Sequence, residues 1–391
     1  MSKSAITAFE YFVAATEVDG SAGSNRAVSP SSVLGATNDV EAIKAWLATY
    51  IDRPNTFASY RREAERLLLW ANIELGKALS SLNHEDMLRY QHFLSDPQPQ
   101  HRWVLAENAA KVARNHPDWR PFAGPLSSSS QRQALTVLHG LFSWLVTAGY
   151  LLANPLALNR KRSRHNQTRM VRYLSPEDWT EVKHTIELLP QETPRDIEHY
   201  LRYRWIFTLL YLTGLRVSEV SNNTMGAFFS KRDHAGRVRW WMDIVGKGER
   251  NRTVPATAEL MTELANYRES KGLSRYPLAN DVTPLVMPIG KQSKALSRAA
   301  LHLIVKRIFT LTAARLREKG PDYEAEAQHI EQASAHWLRH TAGSHMLGNK
   351  VDLLHVRDTL GHGSISTTNR YLHSADELRH DSTQTAHKID W

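Results

Sequence analysis

Apolar side chains recur every three or four positions over most of this chain, and proline-rich or polar stretches break the recurrence into segments. Asn38 with Glu41 three residues on is arranged as a helix start, and the helix it opens carries Trp46 and Leu47. A second helix is predicted from near Thr56, with Phe57, Tyr60, Ala64, Leu67 and Ala71 on one face and Gly76 at its end. A third begins at Asn83 and carries Met87, Tyr90 and Leu94. Residues 96–128 interrupt the pattern with Pro97, Pro99, Pro117, Pro121 and Pro125 and two tryptophans, Trp103 and Trp119. Helical spacing returns over 129–148 through Leu135, Leu138, Phe142 and Leu145. These segments predict a small all-helical domain over 37–158, preceded by a flexible segment, 1–36, in which residues 6–15 can form a short helix.

The second half changes period. Ser175-Pro176-Glu177-Asp178 combines a cap, a first-turn proline and acids at the positive end of a helix. A helix through Trp205, Leu209 and Leu212 stops at Gly214, and TGLRVSEV then sets Arg216 and Glu219 three apart at the next helix start. AFFS, RVRWWMDIV and RTVP read as short antiparallel strands, with Lys247 at a glycine-flanked hairpin tip. Helices follow over 256–270, 297–319, 335–348, 351–360 and 366–373. The expected fold class is mainly α with a small antiparallel β-sheet, a larger α+β domain occupying 174–391. Trp205, Trp240, Trp241, Trp337 and Leu338 are expected to pack in its core or at an interface.

Charge adds a partner class. Lys and Arg number 49 against 40 Asp and Glu, for a formal charge of +9 and a pI near 9.6, which favours a polyanion. The excess is local: the linker 159–173 contains Arg160, Lys161, Arg162, Arg164, Arg169 and Arg172 and no acid. As a solvated linker it would do nothing more; between two helical units it is read as a strap that tracks DNA phosphates. With no cysteine, disulfides and thiolate metal sites are excluded, in keeping with a cytoplasmic protein, nucleoid-associated when on DNA. No run of about 18 apolar residues predicts a membrane span.

The chemistry concentrates in AHWLRHTAGSHMLGNKVDLLHVRDTLGHGSISTTNRYLH, residues 335–373. His336 and Arg339 share a helix face, His362 follows Gly361, and Tyr371 lies nine residues beyond His362. A phenol is a usable nucleophile towards a phosphodiester when cations surround the phosphorus, and arginine matches two phosphate oxygens. Each residue alone has a plainer reading. Arg216 and Glu219 make a surface ion pair, Lys247 belongs to a turn, and Tyr371 packs a ring into a core. His336 and His340 have the spacing of a zinc pair, but no Glu follows His336 directly and no cysteine is available.

In their order, TGLRVSEV, the hairpin lysine of VGKGER, HWLRHT and LGHGSISTTNRYLH resemble the tyrosine recombinase, or phage integrase, family over residues 38–373. Residues 96–128 and KGPDYEAEAQHIEQAS depart from its usual length. The resemblance implies a helical core-binding domain and a catalytic domain forming a C-shaped clamp around double-stranded DNA. It implies that Tyr371 attacks the scissile phosphate, leaving a 3′-phosphotyrosine and a 5′-hydroxyl, and that Arg216 and Arg339 hold the non-bridging oxygens. Lys247 would protonate the leaving oxygen, His336 act as general acid/base, His362 donate to the phosphate, and Glu219 orient Arg216 or His336. It implies four protomers exchanging strands through a Holliday junction, with an accessory DNA-bending protein or partner recombinase as further candidates, and neither cofactor nor metal. The segment after Tyr371 would dock on a neighbouring protomer. Rival readings are a type IB topoisomerase-like nicking-closing enzyme, a DNA-binding regulator that does not cut, and a metal-dependent phosphodiesterase.

Overall fold

Helix starts are set locally in this chain. Asn83 accepts from the backbone N–H of Asp86 at 2.9 Å while Asp86 accepts from that of Asn83 at 3.2 Å; Ser175 and Asp178 repeat the reciprocal pair. The computed structural model describes residues 6–27, 33–107, 109, 112–158, 172–246, 251–290 and 293–362. It divides into two units, Met1–Gln167 and Thr168–Trp391, the division falling inside the basic segment.

The first unit contains α1 (Asp39–Ala48), α2 (Pro54–Glu74), α3 (His84–Ser95), the short α4 (Gln100–Trp103) and α5 (Ser128–Thr147). Asn38 caps α1 through the Glu41 N–H, as its spacing predicts. α2 starts earlier than expected, because Pro54 fits the first helical position. Trp46, Leu67, Tyr90, Trp103, Phe122, Leu138 and Phe142 fill its core. The proline-rich stretch is thus a packed part of this unit, stapled by Trp103 and Phe122.

The lead-in corrects an expectation. Over the described residues 6–27 it is not loose: Ile6, Ala8 and Phe9 are buried in the core, and the Phe9 N–H donates to Glu65 at 2.6 Å. Asn25 both donates to and accepts from the backbone of Ala153. Residues 6–15 form no helix; a 3-10 turn follows at Thr16–Val18. Three apolar side chains offset the ordering cost of a segment whose composition is otherwise polar.

The second unit runs α6 (Pro176–Glu187), α7 (Pro194–Thr213) and α8 (Val217–Asn222). Strands β1 (Phe228–Arg232), β2 (Val238–Val245) and β3 (Asn251–Ala256) come next, then α9 (Ala258–Ser270), α10 (Arg298–Lys319), α11 (Glu324–Gln332), α12 (Ala335–Gly348) and α13 (Leu353–Leu360). The strands form one antiparallel sheet in the order β1-β2-β3, with Ser230 opposite Trp240 and Met242 opposite Val254. Met242, Ile244 and Val254 face the core while Asp243 and Thr253 face out, the period of two that the sequence carries. α7 crosses the core; its Trp205 is fully buried with its indole N–H on the Leu285 carbonyl. Trp337 and Leu338 are buried as expected, whereas Trp240 is half-buried against Tyr276 and Trp241 is half-buried on the opposite sheet face. α11, which the sequence does not announce, lies in the stretch of unusual length and packs Ala327 and Ile330 against α10.

α12 packs on α7, and α13 on α12 and β3. Among the described residues no helix is long and apolar enough to cross a membrane. The hairpin tip at Lys247, the expected helix 366–373 and the tail beyond it lie outside the described residues.

Candidate active site

Two chain reversals build the floor. α7 ends on Gly214 in the left-handed conformation (φ 59°), and a Cβ there would come within 2.4 Å of the buried Leu360 side chain. α13 ends the same way on Gly361 (φ 62°), where a Cβ would stand 2.7 Å from Cδ of Arg252. These reversals present two carbonyls to Arg339, which is 2% exposed. Its Nη1 donates to the Gly214 carbonyl at 2.6 Å and its Nη2 to that of Leu360. A buried guanidinium without partners would be costly; here each bond also fixes its aim.

Arg216 sits at the start of α8. Its backbone N–H and its Nη1 donate to the two carboxylate oxygens of Glu219 at 2.8 and 2.9 Å. The same carboxylate, 3% exposed, receives the fork of Arg252 at 2.9 and 2.8 Å. Burial pushes the Glu219 carboxyl up, but the Arg252 fork, the Arg216 N–H and both positive charges overcome it, bringing it down to about 2. Glu219 therefore stays an anion, bonded to Arg216 and not to His336.

His336 occupies the first turn of α12, with Nε2 3.0 Å from Nε2 of His340 and the two rings edge to face. Burial, then Arg339, Arg216 and Arg172, hold its imidazole below the usual histidine range. Burial acts likewise on His362, followed by Arg339, Arg216, His340 and Arg252, and lowers it to about 4. Arg216, Ser218, Arg298, His302, His336 and Arg339 line a cavity of about 380 Å³. The arrangement presents arginine cations and an imidazole whose protonated form is disfavoured to one space, which suits an anionic group that gains charge during reaction. Among the described residues no group of three or more metal-binding side chains is present.

Of the residues singled out from sequence, Arg216, Glu219, His336, Arg339 and His362 come together. Arg172 is exposed and close enough to bear on His336. Lys247 and Tyr371 lie outside the described residues, as do Arg160, Lys161, Arg162, Arg164 and Arg169. Three features were not read from sequence. Arg252 is one of many basic residues, with nothing in its strand to mark it. Arg298 and His302 join the cavity from α10. The exit of the basic segment is held by α11 and α12: the Leu174 N–H donates to the Thr341 hydroxyl at 3.0 Å, and His329 and His345 bond the carbonyls of Tyr173 and Leu174 through Nε2. Since Nε2 of His345 must donate, its Nδ1 accepts from the Tyr211 hydroxyl at 2.9 Å, which requires a neutral ring.

The phage integrase family model matches residues 183–377, about half of the chain. The tyrosine recombinase XerC of Pelobacter propionicus is 27% identical over 327 residues, 83% of this chain and 87% of that protein. The tyrosine recombinase XerD of Rhizobium meliloti is 27% identical over 264 residues, 67% and 75% of the two chains. Among solved structures, the XerH site-specific recombinase, in a post-cleavage complex with a palindromic difH substrate, is similar in fold with a TM-score of 0.56. Its identity is 17%, over 90% of this chain and 86% of that one. With Arg216, His336 and Arg339 at one cationic cavity and the family model over half of its length, the chain belongs to the phage integrase family and is a tyrosine-type site-specific recombinase.

Proposed function

We propose that the protein cuts and rejoins double-stranded DNA at a specific site through a 3′-phosphotyrosyl intermediate, with Tyr371 as nucleophile. One observation carries the reading: Arg216 and Arg339, each bonded to fixed partners, meet His336 at a single cavity, where burial and then their charges disfavour the protonated imidazoles of His336 and His362. A phosphodiester entering there supplies the missing negative charge. Arg216 and Arg339 hold its non-bridging oxygens, and their bonds strengthen as charge gathers in the transition state. The Tyr371 oxygen bonds to phosphorus and gives its proton to neutral His336. The bond to the 5′-oxygen breaks, and Lys247 delivers a proton to that oxygen. His362 donates to the phosphate. Attack by a 5′-hydroxyl reverses these steps, and because the phosphotyrosine keeps the phosphodiester energy, rejoining consumes no ATP.

Glu219 orients Arg216 and handles no proton, since its carboxyl lies near 2. Arg160, Lys161, Arg162, Arg164, Arg169 and Arg172 track phosphates along the duplex. Four protomers exchange strands pairwise through a Holliday junction, in the cytoplasm on the nucleoid, with a DNA-bending protein or partner recombinase as candidate helpers. The XerC and XerD relatives and the cleaved substrate held by XerH support this assignment.

The test is a nicked suicide duplex carrying the natural site. The wild-type protein is expected to form a covalent protein–DNA adduct, and Tyr371→Phe to form none while binding the same duplex. An adduct mapped to another side chain, or adduct formation by Tyr371→Phe, overturns the assignment. Relaxation of circular DNA that lacks a paired site would instead make the protein a nicking-closing enzyme.

A further inference from the structure

Arg252 is the second residue of β3, and its side chain is 11% exposed. Nη1 and Nη2 grip both oxygens of Glu219, at 2.9 and 2.8 Å, and Nε donates to the carbonyl of Thr359 at 3.1 Å, in the last turn of α13. The aliphatic stem runs against Gly361, so closely that a Cβ there would stand 2.7 Å from Cδ. The consecutive residues 359–362 therefore carry four linked roles. Thr359 accepts from Arg252, Leu360 accepts from Arg339, Gly361 lies on the Arg252 stem, and His362 follows. On its other side, Glu219 gives one oxygen to the Arg216 guanidinium and the other to the Arg216 N–H.

We propose that Arg252 is a positioning residue for cleavage, which holds Glu219, and through it Arg216, in register with the turn that carries His362. The proposal rests on the assignment of Arg216 and His362 to the scissile phosphate made above. The geometry needs arginine. Three donors in a rigid plane reach two carboxylate oxygens and one carbonyl, whereas a lysine ammonium can replace the charge but not the fork. Without Arg252 the buried Glu219 would keep one cation, Arg216, whose side chain is 39% exposed and free to leave with the carboxylate's proton balance altered. The groups facing Glu219 are Arg216 and Arg252; those facing His362 are Arg339, Arg216, His340 and Arg252. Removing Arg252 thus raises the Glu219 carboxyl, and protonation of that carboxyl, which loosens its hold on Arg216, moves the acid limb of cleavage to higher pH.

The experiment uses the full chain, as wild type, Arg252→Met, Arg252→Lys, Glu219→Gln and the double variant Arg252→Met/Glu219→Gln. Single-turnover cleavage of the nicked suicide duplex is followed across pH, with duplex affinity and melting temperature measured on the same samples. Arg252→Met is expected to cleave about 10–100-fold more slowly at unchanged affinity, as when an outer partner of a functional side chain is removed. Its acid limb should move to higher pH. Arg252→Lys should fall between it and wild type, and adding Arg252→Met to Glu219→Gln should cost no more than about 3-fold, because the two act as a unit. Wild-type rate and pH profile in Arg252→Met overturn the proposal. So does a loss that follows the folded fraction alone, with the acid limb unmoved, or full additivity in the double variant. If Arg252→Met does not fold, Arg252→Lys decides, a wild-type cleavage rate counting against the proposal. A wild-type protein that forms no adduct would sink the phosphotyrosyl assignment itself and leaves a different signature from any of these.

Discussion

Arg66 in the helical unit and Arg339 in the catalytic unit are buried to similar degree and put to opposite uses. Arg66 bonds inward through Nε and Nη1. Its Nε bonds the Pro121 carbonyl at 3.0 Å, its Nη1 bonds Glu63 at 3.1 Å, and its guanidinium covers the Phe122 ring at 4.3 Å. It ties the proline-rich stretch to α2 and opens onto nothing. Arg339 has the backbone carbonyls of Gly214 and Leu360 among its partners and lines an open cavity. Carbonyls restrain a guanidinium without neutralising it, whereas a carboxylate partner such as Glu63 cancels its charge. The type of partner, more than the depth of burial, separates a structural arginine from one that can do chemistry.

The largest test exchanges these two. Arg339→Ala is expected to slow cleavage by about 10²–10³-fold or more, with a stability loss of about 1–3 kcal/mol for the carbonyls left unpaired. Arg66→Ala should cost about 3–5 kcal/mol because Glu63 stays buried, at the lower end since Arg62 remains 3.1 Å away. Its cleavage per folded molecule should not change. Urea unfolding alongside suicide-substrate kinetics separates the two, and a cleavage defect in folded Arg66→Ala would break the contrast.

Two glycines sharpen it on a smaller scale. Gly76 and Gly214 have nearly the same φ, 58° and 59°, but a Cβ at Gly76 meets nothing within 4 Å whereas one at Gly214 runs into Leu360. Gly76→Ala should cost about 1–2 kcal/mol, the left-handed penalty alone, and leave cleavage intact. Gly214→Ala should cost more and slow cleavage too, since Leu360 and Gly214 both hold Arg339. Equal effects in melting and kinetics would remove the distinction.

A further contrast is in pH, and its sign differs between the units. Glu219 has a folded carboxyl near 2, below its ordinary value of 4.5. The stability it contributes, about 3 kcal/mol, is fully present above 4.5 and is lost as pH falls towards 2. Asp39 in the first unit is the reverse case: burial raises its carboxyl above the ordinary 3.8, against the Ser80 N–H and the Tyr150 hydroxyl that bond it. Its contribution is therefore fully present below 3.8 and is lost as pH rises through the raised value. Denaturant titrations from pH 3 to 7 should show Glu219→Gln losing less stability than wild type on acidification. Asp39→Asn should lose less on the way up.

What was legible in the sequence is local. Capping pairs at Asn38, Asn83 and Ser175 act over three residues, so their spacing alone announces a helix start. The period of two in RVRWWMDIV places a strand, and the ordered motifs single out Arg216, His336 and Arg339, which line one cavity. The lead-in and α11 were less legible, because Ile6, Phe9, Ala327 and Ile330 are few and sparse, and only their docking surfaces give them meaning.

The identities of Arg216, His336 and Arg339, and the helices that bear them, were thus written in residue type and short-range spacing. How those groups are held was decided by the tertiary structure alone. Arg339 is aimed by the carbonyls of Gly214 and Leu360, 125 and 21 positions away, and Arg252 reaches Glu219 across 33. Every residue carries a carbonyl, so no choice of side chain records which one will accept from a buried guanidinium. Arg252 is likewise one of 49 basic residues until the fold sets a carboxylate before it.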